Sequence, residues 1–187
     1  QIGALCVGNT NQQSTVAGEV VGILQNRQWQ GQFKNLALSD QRLGNWRQQG
    51  KAALAITPQR IDLQQLCLHD PSDATFCIDG SKNMLSQEWQ STASLRALPL
   101  SVLTATVGLP ATLTGTLHSR LHVQGKQQRI TAGQFSADTQ ALGFQPHING
   151  GTPQQLTWQR NRLNVSYAGD QLQIALDSQL DAQNTLQ

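Results

Sequence analysis

The sequence is short of charged and aromatic residues. Asp, Glu, Lys and Arg make up 13% of the 187 residues and aromatic residues make up 5%; a typical soluble domain has roughly 25% charged residues. The formal net charge is only +2, and no run of Lys or Arg occurs. A basic patch of the kind that binds nucleic acid is therefore missing, and we expect no nucleic-acid partner.

Long apolar runs are also missing. No stretch approaches the roughly 20 apolar residues that cross a bilayer, and the first residues lack the charged start and apolar run of a secretory signal. The sequence begins without Met and stops after Leu186-Gln187. We therefore expect residues 1–187 to be a single segment of a longer, repetitive protein that carries any membrane anchor elsewhere.

Catalytic and metal-binding signatures are absent as well. The sequence has no GxSxG, HExxH, P-loop or GxGxxG pattern in a supporting context. His118 and His122 share one face of a predicted strand, but that face is polar, and solvated imidazoles explain them. Asp70, Asp73 and Asp79 fit no EF-hand loop and are explained by turns. We predict no catalytic residue, no cofactor and no metal.

Three cysteines are present, and two of them suggest a disulfide. Cys67 and Cys77 flank an Asp-Pro-Ser-Asp sequence at residues 70–73 that favours a turn, so their sulfurs would lie on facing strands. Such a bridge contributes about 2–4 kcal/mol and persists only in an oxidising compartment such as the bacterial periplasm. The alternative is a pair of buried thiols. A zinc site lacks a CxxC pattern, and Cys6 is left unexplained.

Alternation of apolar and polar residues is the dominant pattern. It is clearest from Leu113 through Leu117 and Leu121 to Val123, where every second residue is apolar or small, and it predicts a strand with one apolar face. The same pattern recurs at Leu163-Val165-Tyr167, at Leu172-Ile174-Leu176 with Leu180, at Trp89-Ala93-Leu95 and at Leu142-Phe144-Ile148. Turn signals separate these segments, among them Asn26-Arg27, Asp79-Gly80, Gly125-Lys126, Asn149-Gly150-Gly151 and Gly169-Asp170. The sequence therefore predicts an all-β antiparallel meander.

Two strands shift the phase of this alternation by one residue. Gly31-Phe33 gives way to Leu36-Leu38, and Ile61-Leu63 gives way to Leu66-Leu68. A β-bulge produces such a shift, and it also bends and twists the sheet.

One segment breaks the alternation. Pro99 is suited to the first turn of a helix, and Gly108 with Pro110 supplies a stop, so we predict one short helix near residues 99–107. The β-branched residues of this segment also permit a buried strand.

An apolar sheet face has to be covered by helices, by a second sheet or by closure into a barrel. The sequence offers no long amphipathic helix and few aromatic residues to fill a wide interior. Hydrocarbon is a suitable filler for a hollow, curled sheet, since each buried methylene gains about 0.8 kcal/mol. The alternative is a structural or interaction module, a β-sandwich or barrel filled by its own side chains, because alternation describes any half-buried antiparallel sheet.

A series of local motifs resembles the TamB family of large periplasmic proteins. In order, these are Trp29-Gln30-Gly31, Leu43-Gly44-Asn45-Trp46, the hairpin from Leu66-Cys67-Leu68 to Cys77, Leu98-Pro99-Leu100 leading to Leu109-Pro110, and Leu113-Thr114-Gly115-Thr116-Leu117. They cover residues 29–125. The sequence departs from the family after the second cysteine, where Asp79-Gly80-Ser81-Lys82 stands in place of Gly-Trp and the aromatic residue is delayed to Trp89.

The resemblance implies a long, taco-shaped β-sheet with an apolar inner face, in a protein anchored in the inner membrane that extends across the periplasm. It implies a conduit for phospholipid that works with a TamA-like outer-membrane assembly partner through other parts of the protein. The residues expected to contact acyl chains are Leu113, Leu117, Leu121, Val123, Leu163, Val165, Tyr167, Leu172, Ile174 and Leu176.

Overall fold

The structure is a computed structural model that describes residues 4–8, 14–107, 109–147 and 155–181. This part of the chain forms twelve β-strands and one helix. The strands are β1 (Ala4–Gly8), β2 (Ser14–Gln25), β3 (Gln28–Asp40), β4 (Gly44–Gln49), β5 (Ala52–Ile56), β6 (Arg60–His69), β7 (Thr75–Asn83), β8 (Glu88–Pro99), β9 (Ala111–Lys126), β10 (Arg129–Pro146), β11 (Leu156–Ala168) and β12 (Gln171–Leu180). The helix is α1 (Leu100–Val107).

All strands belong to one antiparallel sheet and follow one another in chain order. The exception is a single interrupted strand: β4 and β5 run one after the other in the same position, and both pair with β3 on one side and with β6 on the other. Gly50 connects them with a φ of 76°, a conformation that costs a glycine little. The predicted antiparallel meander is confirmed.

β-Bulges occur at both predicted phase shifts. Asn35 has a φ of 54° and Gln65 a φ of 53°, and the pairing register shifts beside each of them. Further bulges lie at Ala97 and Ala141, both also with positive φ. Because each bulge inserts one extra residue, the apolar residues before and after it point to the same face of the sheet. Each bulge also bends its strand. The sheet is therefore curled, as the sequence predicts.

The predicted helix is confirmed as α1, which begins at Leu100, directly after Pro99 at the end of β8. With eight residues it is far shorter than the roughly 20 needed to span a bilayer, and no other helix lies in the described ranges. Its predicted stop at Gly108 falls outside the described residues. So do Ile148 and the predicted turn at residues 149–151.

One predicted turn is wrong and another is displaced. Gly125 and Lys126 are the last two residues of β9, and that turn lies at residues 127–128. Asp79 and Gly80 lie inside β7, and the chain turns at residues 84–87 instead. Gly80 is needed for close approach rather than for a turn, since a Cβ there would lie 2.9 Å from the carbonyl oxygen of Gln90 on β8. Glycine within a strand often marks such an approach.

Candidate functional site

The ten residues that the sequence analysis assigns to an apolar face do share one face of the sheet. Residues directly opposite each other in an antiparallel pair point to the same side. Phe135 of β10 lies opposite both Leu121 of β9 and Val165 of β11, and Val165 lies opposite Ile174 of β12. The same register carries the remaining members: Leu113, Leu117, Val123, Leu163, Tyr167, Leu172 and Leu176. We call this side the apolar face.

The apolar face continues beyond the ten predicted residues, across the strands from β8 to β2. Leu95 of β8 lies opposite Phe76 of β7, which lies opposite Leu68 of β6. The register extends the same side through Ile78, Ala93, Leu63, Leu54, Trp29, Phe33, Leu38, Val20 and Leu24. Alternation identifies an apolar side on each of these strands, but only the pairing register shows that these sides form one continuous face.

One end of the apolar face is filled by the protein itself. Trp46, Ala74 and Leu98 are buried there, and Leu103 of α1 packs on them together with Leu117. The indole Nε1 of Trp46 donates a hydrogen bond of 2.8 Å to the carbonyl oxygen of Leu43. The helix therefore covers part of Leu117, and we call this region the helix end of the sheet.

The rest of the apolar face is uncovered. Leu121 is 38% exposed, whereas Leu172, Ile174 and Leu176 are 62%, 64% and 71% exposed. Apart from α1 and a small contact between β3 and β6 across the interrupted strand, the described elements contact only their neighbours in the sheet. No large side chain of the described part is fully buried. A single layer with a broad uncovered apolar side is unusual for a soluble monomer, whose apolar patches rarely exceed a few hundred Å².

The opposite end of the strands carries the hairpin turns at residues 26–27, 57–59, 84–87, 127–128 and 169–170. We call it the hairpin rim. Trp89 reaches the apolar face here, and its Nε1 donates a 3.0 Å hydrogen bond to the carbonyl oxygen of Gln127. Its ring lies against Gly125, where a Cβ would be 2.4 Å from Cζ2 of the indole. Tyr167 is near this rim, and the hydrogen bond that its hydroxyl donates to Asp170 raises the pKa of Tyr167.

The polar face carries the disulfide. Cys67 and Cys77 lie directly opposite each other on β6 and β7 and are bonded, as the sequence predicts. Their neighbours Leu66 and Phe76 point to the apolar face, so the bridge lies on the other side of the sheet. Cys6 lies opposite Ala17 in the β1–β2 pair.

The histidines and the turn carboxylates have local partners. His122 Nδ1 is 3.2 Å from Thr92 Oγ1 on the polar face, and His118 Nδ1 accepts a 3.4 Å hydrogen bond from the backbone N–H of Ala97. Asp70 accepts hydrogen bonds from the N–H groups of Ser72 and Ala74 at 2.9 and 2.8 Å, which closes its turn. Within the described ranges, no group of three or more His, Cys, Asp or Glu residues converges.

Comparison with known proteins gives one match. The family model described as the N-terminal domain of TamB matches residues 10–187, which is nearly the whole chain. No curated protein and no solved structure matches it.

Proposed function

Because the chain belongs to the TamB family, we propose that it is a periplasmic segment of a lipid conduit between the inner and outer membranes. The apolar face is the inner wall of a groove that shields the acyl chains of phospholipid. The observation that carries this proposal is the row of aliphatic residues that, away from the helix end, has no second layer of the described chain packed on it. Lipid hydrocarbon supplies the missing half of that core.

The dimensions and energetics of the sheet suit this role. Eleven strand positions spaced about 4.8 Å apart give an apolar wall about 50 Å wide. Each methylene that leaves water on this wall gains about 0.8 kcal/mol, and the contact requires no particular polar geometry. A wall of leucine, isoleucine and valine therefore accepts many lipids, and it allows them to slide because no strong directional bond has to break.

Two further features support a lipid conduit in the periplasm. A disulfide between Cys67 and Cys77 is stable in an oxidising compartment, which favours the periplasm. The apolar residues reach the last strand, β12, where Leu172, Ile174, Leu176 and Leu180 are all more than half exposed. On this proposal the full-length protein is anchored in the inner membrane, and it meets an outer-membrane assembly partner resembling TamA through other regions.

The competing hypothesis is a structural β-sandwich or barrel of the cell envelope that binds no lipid. It requires a second layer of side chains over the apolar face, and among the described residues only α1 and its neighbours at the helix end provide one. Neither hypothesis assigns a chemical step to the chain, and we propose no enzymatic activity.

The test is lipid binding by the purified chain. We expect co-purifying phospholipid in organic extracts and saturable binding of a fluorescent fatty acid. Ile174→Asp places a charge on the apolar face and should abolish most of this binding. Ala175→Asp is the matched control, since Ala175 is the next residue of the same exposed strand and faces the other way. A folded protein that binds neither native lipid nor probe, or equal loss in both variants, contradicts the proposal.

A further inference from the structure

Charged residues are almost excluded from the apolar face. Among the strand residues that the structure describes on this side, the pairing register identifies two charged residues, Asp40 and Lys82. Asp40 lies at the helix end, where it accepts hydrogen bonds from the N–H groups of Arg42 and Leu43, both at 2.8 Å. Its role in that turn is clear. Lys82 is the one cation of this face within the described strands and has no such local role.

Lys82 lies where the apolar face meets the hairpin rim. It is the second-last residue of β7, and its partners across the sheet are Ile61 on β6 and Trp89 on β8. Its side chain is half-buried, although a lysine in such surroundings normally has a carboxylate partner or extends its amine into water. The nearby carboxylates are engaged elsewhere: Asp62 pairs with Arg60 at 2.7 Å, and Glu88 pairs with Lys126 at 3.5 Å.

Trp89 lies directly opposite Lys82 on the apolar face, and its ring is directed toward β9. The indole ring lies against Gly125 of β9 and is fixed there by its hydrogen bond to the carbonyl of Gln127. Because β9 is on the far side of β8 from β7, the ring leans away from Lys82. Lys82 therefore lies where the apolar face meets the hairpin rim, the position that the polar end of an amphipathic molecule would take.

The surrounding rim has the charge that an anion requires. Arg27, Arg60, Lys126 and Arg129 all lie at or beside hairpin turns of the same rim. Arg27 and Arg129 have no ion-pair partner within the described residues. The carboxylate of Asp170, also at this rim, accepts the hydrogen bond of Tyr167. Arg60 and Lys126 are paired with Asp62 and Glu88, so the excess positive charge of this rim comes from Arg27, Lys82 and Arg129. A border with excess positive charge attracts phosphate.

We propose that Lys82 binds the phosphate of a phospholipid whose acyl chains lie on the apolar face. This rests on the proposed function and deepens it by fixing the direction of the bound lipid: the headgroup lies at the hairpin rim and the chains point toward the helix end. An ammonium on a four-carbon stem acts as a point charge for phosphate, and its stem adds apolar surface below the headgroup. Because the helix end is filled by the protein's own side chains, the hairpin rim is the border at which a headgroup can reach water.

The experiment compares two fluorescent lipids with the same acyl chains, phosphatidic acid and diacylglycerol, on the purified chain. The variants are Lys82→Met, which keeps an apolar stem, Lys82→Arg, which keeps the charge, and Lys34→Met, which removes one cation from an exposed polar-face position of β3. We expect Lys82→Met to weaken phosphatidic acid binding about tenfold or more, with diacylglycerol binding unchanged. Lys82→Arg and Lys34→Met should stay close to wild type.

The outcomes separate this inference from the proposed function. If the wild-type chain binds neither lipid, the groove proposal itself fails. If it binds both but Lys82→Met weakens neither, or weakens both equally, the groove stands and the phosphate role of Lys82 is refuted. A third arm measures acetylation of the Lys82 amine in the presence of inorganic phosphate alone. If free phosphate protects Lys82 as well as phosphatidic acid does, the site is a general anion site and the lipid assignment is overturned. Urea midpoints equal to wild type establish that the variants are folded.

Discussion

Truncating one leucine at the helix end and one on the uncovered part of the apolar face should have very different effects on stability. Leu98 is 7% exposed and packs in the cluster with Trp46 and Ala74. Leu→Ala at a site this buried costs about 2–5 kcal/mol, because the transfer energy is lost and a cavity remains. We therefore expect Leu98→Ala to lower the free energy of unfolding by that amount.

Leu176→Ala is the matched comparison on the same face. Leu176 is 71% exposed, so less than a third of its surface is covered. A fully buried leucine contributes about 1.5–3 kcal/mol, and the covered part of Leu176 accordingly contributes less than about 1 kcal/mol. We expect Leu176→Ala to change the free energy of unfolding by under about 1 kcal/mol.

Urea unfolding measures both changes. In a background with Trp29, Trp89 and Trp158 replaced by Phe, the fluorescence of Trp46 reports on the helix end, and far-ultraviolet circular dichroism reports on the sheet. The midpoint should move strongly for Leu98→Ala and hardly at all for Leu176→Ala, at an unchanged slope. Equal losses at the two sites would mean that the face around Leu176 is as well packed as the helix end. That result would refute the division of the apolar face into a filled and an uncovered part.

Three further predictions concern the turns and the polar face. Replacing Cys67 by Ser should lower the free energy of unfolding by about 2–4 kcal/mol, measured by urea unfolding without reductant, and reductant should abolish the difference. Asp70→Ala should cost about 1–3 kcal/mol in the same assay because the buried N–H of Ala74 and the N–H of Ser72 lose their acceptor. Asp73→Asn is the control: it keeps a residue suited to the φ of 68° at this exposed position and should cost under about 0.5 kcal/mol. The hydrogen bond from Ser14, followed by the backbone bonds, lowers the pKa of Asp40 below 3.8, so its stabilisation is present above that pH and is lost as pH falls through the depressed pKa. Ser14→Ala should therefore make the urea midpoint less sensitive to acid, and an unaltered pH profile would contradict this.

Local sequence patterns were sufficient to predict the strands, two bulges, the helix and the disulfide. Each of these depends on neighbouring residues: alternation sets the face of a strand, and a one-residue phase shift reveals a bulge such as that at Asn35. Cys67 and Cys77 flank a turn short enough to place them opposite each other. The fold class followed from this local information because each strand pairs with its neighbours along the chain.

Features that depend on contacts between distant residues were not predictable. The interruption between β4 and β5 is stabilised by Gln48, whose amide donates to the carbonyl of Phe33 at 2.9 Å and accepts from the N–H of Leu36 at 3.1 Å. Nothing near Gln48 in the sequence indicates these bonds. Gly80 was misread as a turn because its partner, Gln90, lies on another strand.

The extent of the candidate site was also underestimated from sequence. The residues of β9, β11 and β12 were found because their alternation is uninterrupted. The apolar residues of β3, β6 and β8 were recognised within their own strands, but their place on the same face depends on strand pairing, which local alternation does not reveal. Lys82 had no signal of its own, since a single lysine in a strand becomes notable only when the register places it among apolar neighbours.

The one-layer architecture has a consequence for how the protein loses its structure. Because strands contact little besides their neighbours, the stability of the sheet is close to a sum of nearest-neighbour terms, as in repeat proteins. Amide hydrogen exchange should then reveal a gradient, with slow exchange around Trp46 and Leu98 and fraying that starts from β12, whose residues are all exposed. A destabilising substitution in one hairpin would therefore unfold that hairpin locally, while the remaining strands stay folded.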